Sequence, residues 1–150
     1  MVDSSIGGKT GLDVYKAKNM LGSFYAAVST FVDPLVLRTL PKRQFVNGLA
    51  EVIKSGMIYD ATLFAYLETN MEAILALEPT ALFNMIEMTI SVKCNVVEQD
   101  AKEAGIRSIL NFGHTVGHAI ESLFLGQSLH GECVAIGMMV ECKLAEATHH

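Results

Sequence analysis

The 150-residue chain is 51% hydrophobic and 18% charged, with a net charge of −5, which suffices for one domain with a real core. Its acidic balance and eleven scattered Lys and Arg residues exclude a nucleic-acid surface, which needs clustered cations. No apolar run approaches the roughly 20 residues of a membrane helix, the start Met1-Val2-Asp3-Ser4-Ser5 lacks the basic and apolar regions of a secretory leader, and three cysteines without a Cys-x-x-Cys pair fit a reducing compartment; a soluble, cytoplasmic protein is expected.

Along the chain, residues 1 to 26 are loop-like, rich in Gly, Ser and Lys. Segment 26 to 33, Ala-Ala-Val-Ser-Thr-Phe-Val-Asp, has the β-branched and aromatic content of a short strand or hairpin, closed by Asp33-Pro34. From Pro41 a helix is expected: Phe45, Val46, Leu49, Ile53, Met57 and Ile58 recur at threes and fours, which leaves Glu51 and Lys54 together on another stripe. Further helices are expected over about 61 to 76 and, after Glu78-Pro79, about 80 to 98. Gln99 to Gly105 reads as a charged turn. The last two helices run over about 113 to 124 and 131 to 147, joined by a loop short enough for antiparallel neighbours. The fold class is therefore mainly α, with residues 1–40 a loop-rich segment and 41–150 a helical domain.

Two segments carry chemistry. In Asp3-Ser4-Ser5-Ile6-Gly7-Gly8-Lys9-Thr10, the Gly-Gly-Lys-Thr imitates a nucleotide P-loop, but Asp3 stands where that loop needs its first glycine. Glycine-rich backbone beside Lys9 can still hold an anion, and Lys18-Asn19 adds a cation and an amide nearby. The second segment is Asn111-Phe112-Gly113-His114-Thr115-Val116-Gly117-His118, followed by His130-Gly131-Glu132. On a helix His114 and His118 share one face, one turn apart, and His130 opens the next helix, so three imidazoles can converge. With Glu51 they form the mixed His/Glu set of an open catalytic metal site, which wants three protein ligands and a vacancy. Spacing alone leaves core packing as an equal alternative. It does disfavour a metalloprotease, because Thr115 stands where the Glu of His-Glu-x-x-His would be.

Five stretches, in order, resemble 3-dehydroquinate synthase, a sugar-phosphate cyclase family of the shikimate pathway: Val2 to Thr10, Lys18 to Gly22, Leu49-Ala50-Glu51-Val52-Ile53-Lys54-Ser55-Gly56, Arg107 to Glu121, and His130 to Met138. The resemblance implies the helical C-terminal domain of that fold, with the first 40 residues as the tail of an N-terminal NAD-binding α/β domain. It implies NAD and a divalent metal, zinc or cobalt, acting on 3-deoxy-D-arabino-heptulosonate 7-phosphate. The product would be 3-dehydroquinate, reached by transient oxidation, phosphate elimination, re-reduction, ring opening and aldol closure.

Carried over residue by residue, the resemblance puts the metal on Glu51, His114 and His130 and leaves His118 for the substrate. It assigns Asp3, Lys9, Lys18 and Val36-Leu37-Arg38-Thr39 to NAD, with Asp3 close to the nicotinamide and the reacting hydroxyls. Lys93 and Arg107 match positions that hold the substrate carboxylate, Arg107 by its planar fork. Lys9, Asn19, Asn111 and His118 match substrate and phosphate contacts, while Lys54 and Glu103 match polar groups around the sugar hydroxyls. Asp3, Lys54, Glu103, Asn111 and His118 are thus the catalytic candidates. Full-length relatives carry a preceding nucleotide-binding half and later helices and are usually homodimers, so this piece alone is expected to bind NAD poorly and turn over slowly. Two other readings stay open: another sugar-phosphate cyclase or metal-dependent polyol dehydrogenase of the same superfamily, and a non-catalytic helical fragment.

Overall fold

A computed structural model describes residues 2–15, 17–124 and 127–148, and the side chains of these except 13 and 17–19. The chain begins with an antiparallel hairpin, β1 (Lys9–Val14) and β2 (Ala17–Phe24), in a register that sets Thr10 opposite Ser23 and Gly11 opposite Gly22. Thr10 Oγ1 donates to the Ser23 carbonyl at 2.9 Å, and Gly22 is required because a Cβ there would lie 2.2 Å from the Thr10 carbonyl. A single hairpin in a helical chain agrees with the expected fold class, but its place does not: residues 26–33 form no strand. β-branched content favours a strand only where a partner edge is available, and β1 and β2 pair with each other, leaving Val28 and Phe31 exposed.

A 3-10 helix (Pro34–Thr39), which periodicity does not foreshadow, leads through Pro41 into α1 (Lys42–Ile58). Asp60 caps α2 (Ala61–Leu75) by accepting from the Thr62 and Leu63 amides at 2.9 and 3.2 Å, and Glu78 caps α3 (Pro79–Gln99) by accepting from Ala81 N at 2.7 Å. These caps explain why α2 and α3 begin where the sequence suggests, while α1 follows Pro41 without a side-chain cap.

The core lies between α1, α2 and α3. Phe45, Leu49 and Val52 of α1 meet Leu63, Leu67 and Ile74 of α2 and Leu82, Met85 and Ile86 of α3, each such side chain contributing about 1.5–3 kcal/mol when fully buried. A second unit follows a 3-10 helix (Ile106–Asn111): α4 (His114–Leu123) and α5 (His130–Thr148). Gly113 abuts Met138 while Gly117 abuts Cys133 and Val134, the reversed order of an antiparallel pair. The approach is close enough that a Cβ on Gly137 would sit 2.0 Å from the Gly113 carbonyl. α5 also packs on α1, so α1 is covered on several sides and buries Glu51 and Lys54 as well as its apolar stripe. No helix among the described residues is long and apolar enough to cross a membrane.

Candidate metal centre

Glu51 projects from the middle of α1 with only 5% of its side chain exposed. Such a carboxylate is costly unless paired, and Lys54, one turn on, supplies an ammonium 2.5 Å from Oε2 and donates to the Leu110 carbonyl at 2.8 Å. Burial pushes the Glu51 carboxyl up, but hydrogen bonds from His114 and His130, together with Lys54, outweigh it and hold the group far below the usual carboxylate range. It is an anion across the working pH range.

The two imidazoles arrive from the first residues of α4 and α5. Gly113, at φ 75°, makes the left-handed step into α4, and its N–H is held at 2.8 Å by Glu141 Oε2 from α5. The next ring, His114, has Nδ1 3.1 Å from the Phe112 carbonyl. A carbonyl can only accept, so Nδ1 carries the proton and Nε2 keeps its lone pair. That Nε2 lies 3.3 Å from Glu51 Oε1. His130 Nε2 lies at the same 3.3 Å from the same oxygen. Its backbone is fixed by α1: Asn47 Oδ1 accepts from the Gly131 and Glu132 amides at 2.7 and 3.3 Å, and Arg43 grips Glu132 through Nε and Nη2 at 2.7 and 2.8 Å. Hydrogen bonding to Glu51 raises the His130 pKa against the opposing effect of burial, with Glu121 adding to the rise.

These spacings, long for charge-assisted hydrogen bonds, also match the edge of a metal's coordination shell. Charge-assisted N–H to O contacts close to about 2.7–2.9 Å, whereas ligands about 2.0–2.1 Å from a tetrahedral zinc stand about 3.3 Å apart. The Glu51 oxygen and the two Nε2 atoms fit that edge length at 3.3 Å and 3.3 Å, and a carboxylate with two neutral imidazoles is a donor set suited to zinc or cobalt. His118 completes the constellation: its ring centroid is 5.4 Å from that of His114 and 5.6 Å from that of His130, and the three rings offer ligand atoms within 4.8 Å of one another. His118 is the exposed member of the group.

The remaining candidates form neighbouring networks. Asp3, buried at the start of the chain, pairs with Lys93 of α3 at 2.8 Å, and Lys93 also donates to the Asp3 carbonyl at 2.8 Å. Lys9 pairs with Glu103, and Asn111 Nδ2 donates to the same carboxylate at 3.4 Å; the hydrogen bond from Lys9 is the main cause holding the Glu103 carboxyl low. Arg107 is 1% exposed, donates to the Ala101 and Gly7 carbonyls at 2.9 and 3.0 Å, and lies over the Phe24 ring. Its Nε has no partner among the described residues. Val36, Leu37, Arg38 and Thr39 sit in the 3-10 helix before α1, where Val36 and Leu37 line a cavity of about 300 Å³ with Phe31, Phe45, Leu49 and Val52. The side chains of Lys18 and Asn19 lie outside the described residues. Thus Glu51, Lys54, His114, His118 and His130 converge in one place, and Leu110 ties them to the Asn111–Glu103–Lys9 chain.

Four supporting residues escaped the sequence reasoning: Glu121, Glu141, Asn47 and Arg43. Glu121 had a readable signal, for it stands seven residues after His114 and therefore on the same helical face as His114 and His118. The other three act between helices and leave no spacing to read.

Comparison with known proteins follows the same lines. The family model described as 3-dehydroquinate synthase N-terminal matches residues 1–47, and that described as 3-dehydroquinate synthase C-terminal matches residues 48–150. The chain is 53% identical over 145 residues to the 3-dehydroquinate synthase of Teredinibacter turnerae, covering 96% of this chain and 40% of that protein. It is 50% identical over 148 residues to that of Synechocystis sp., covering 97% and 41%. The chain thus spans about two fifths of the length of these relatives. Among solved structures, a 2-deoxy-scyllo-inosose synthase complexed with carbaglucose-6-phosphate, NAD+ and Co2+ matches with a TM-score of 0.90 at 30% identity, over 99% of this chain and 40% of that one. The 2-epi-5-epi-valiolone synthase of Streptomyces hygroscopicus subsp. jinggangensis, with NAD+ and Zn2+ bound, matches with a TM-score of 0.83 at 32% identity, over 91% and 39%.

Proposed function

The chain belongs to the 3-dehydroquinate synthase family, and from that premise we propose that it is the metal- and substrate-binding part of an enzyme that converts 3-deoxy-D-arabino-heptulosonate 7-phosphate to 3-dehydroquinate and phosphate. The observation that carries the reading is the single Glu51 oxygen shared at 3.3 Å by the Nε2 atoms of His114 and His130. In this reading Glu51, His114 and His130 hold zinc or cobalt, as the donor set favours. When bound, the metal polarises substrate hydroxyls as a Lewis acid, and NAD takes up and returns the hydride.

The chain's own residues position and neutralise. Lys54 offsets the buried charge of Glu51 by pairing with its outer oxygen. The substrate phosphate itself assists proton removal as it is eliminated, oriented by His118 at the exposed rim or by a lysine. Asn111, Lys9 and Glu103 already form a hydrogen-bonded chain beside the site, suited to binding sugar hydroxyls and phosphate. Lys93 and Arg107 supply the cations for the substrate carboxylate. For Arg107 that role requires the Gly7 loop to move, since the guanidinium is now covered. Asp3, Lys9, Lys18 and the 36–39 turn are assigned to NAD, and the apolar cavity beside Val36 and Leu37 supports that assignment. Residues 1–40 are the cofactor-contacting segment and 41–150 the helical domain, in a whole protein that is a cytoplasmic homodimer; the three cysteines of this chain form no disulfide, in keeping with a reducing compartment.

The structural likeness to two other sugar-phosphate cyclases supports a second reading, a relative making a different product. The identities favour the first, at 53% and 50% against 30% and 32%. A chimera tests both: this chain replaces the matching residues of the Teredinibacter turnerae synthase, and 3-dehydroquinate formation is followed. Activity near that of the parent, abolished by Glu51→Gln, is expected. A folded, metal-loaded chimera that makes no 3-dehydroquinate would overturn the assignment.

A further inference from the structure

We propose that Glu121 is a positioning residue that sets the tautomer and charge environment of His130 at the metal; this rests on the metal reading given above. The His130 ring is addressed at both nitrogens. Nε2 faces Glu51 Oε1 at 3.3 Å and Nδ1 faces Glu121 Oε2 at 3.3 Å. With an ion on Nε2 the ring keeps one proton, on Nδ1, where the Glu121 carboxylate is placed to accept it. The two histidine ligands are thereby anchored differently: His114 Nδ1 is held by the neutral Phe112 carbonyl, His130 Nδ1 by a carboxylate.

The fold gives Glu121 this task. It lies on α4 two turns beyond His114 and reaches across to the first residue of α5, with 17% of its side chain exposed. Asn47 fixes the backbone at Gly131 and Glu132 and Arg43 holds the Glu132 carboxylate, yet none of these contacts touches the imidazole, so ring rotation is restrained at Nδ1 by Glu121. Charge points the same way: Glu121 sets a carboxylate against the ring nitrogen opposite the one that faces the ion position.

Cobalt titration of the 150-residue chain, followed by the visible absorption of bound Co2+, tests this. Glu121→Ala is expected to weaken cobalt binding by about 10- to 100-fold, and Glu121→Gln, which keeps an acceptor but not the charge, by an intermediate factor. In a His130→Ala background the Glu121→Ala change should cost nothing further, which a merely structural role would not produce. Wild-type affinity and spectrum in Glu121→Ala overturn the inference, as does an equal loss with and without His130. If Glu121→Ala fails to fold, as judged by circular dichroism of the metal-free chain, Glu121→Gln is judged by the same comparisons. Absence of cobalt uptake by the wild-type chain would fell the metal reading and this inference together, whereas wild-type uptake indifferent to Glu121 fells this inference alone.

Discussion

Lys54 and Glu51, three residues apart on α1, form an ion pair whose side chains are each 5% exposed. Removing one member of such a pair strands a buried charge. Lys54→Met is therefore expected to destabilise the metal-free chain by about 3–5 kcal/mol, read from urea unfolding. The same substitution removes a cation from beside the ion position, so cobalt affinity should not fall. Unchanged unfolding of Lys54→Met would show that Glu51 does not depend on this partner.

The antiparallel pair α4 and α5 is set by glycines, and two alanine substitutions separate close approach from helix propensity. At Gly137 a Cβ would stand 2.0 Å from the Gly113 carbonyl and 2.9 Å from Gly117 N. Both are backbone atoms, which cannot swing away, so Gly137→Ala should cost about 1–3 kcal/mol and weaken cobalt binding by displacing His114. At Gly48, in mid α1, a Cβ would meet nothing within 4 Å. Gly48→Ala should thus stabilise by roughly 0.5–1 kcal/mol. Thermal unfolding of the two variants side by side checks the contrast; equal effects would contradict it.

The division between metal ligands and His118 yields a third expectation. His130→Ala removes a ligand and should weaken cobalt binding by about a hundredfold or more, beyond the range for an outer-shell residue. His118→Ala should leave the affinity close to wild type while abolishing product formation in the chimera. Loss of cobalt binding in His118→Ala would return the site to the all-histidine grouping that spacing alone suggests.

The helices were legible through local signals such as the three-and-four recurrence of Phe45, Leu49 and Ile53 and the Glu78-Pro79 step into α3. The histidine cluster was legible in part for the same reason, since His114 and His118 share a helical face, whereas the choice of Glu51, His114 and His130 for the metal came from the family resemblance. What stayed hidden acts across elements. The hairpin belongs to residues 9–24 and not 26–33, because pairing of Thr10 with Ser23 depends on register, which β-branched content does not report. Burial of Glu51 and Lys54 follows from α5 covering α1, a packing choice that no period in α1 encodes.

Asp100 gives the pH dependence that can be argued without involving the metal ligands. Its carboxylate shapes the turn into the Ile106–Asn111 helix: Oδ1 accepts from Ala104 N at 2.8 Å, and Oδ2 accepts from Gly105 N at 2.7 Å and Arg107 N at 3.1 Å. The bond from Ala104 leads the causes that hold the Asp100 carboxyl below its ordinary value of 3.8, against a smaller opposing effect of desolvation. A depressed folded pKa means that the stabilisation is fully present above the unfolded value and is lost as pH falls through the folded one. Asp100→Asn keeps one acceptor oxygen and cannot ionise, so it should unfold at a lower temperature than the wild type at pH 6. The gap should narrow steadily as pH falls below 3.8, because the wild-type carboxylate is then protonated as well. Melting curves for both chains from pH 6 down to the acid limit decide the matter. A gap independent of pH would mean that the Asp100 charge does not order the turn.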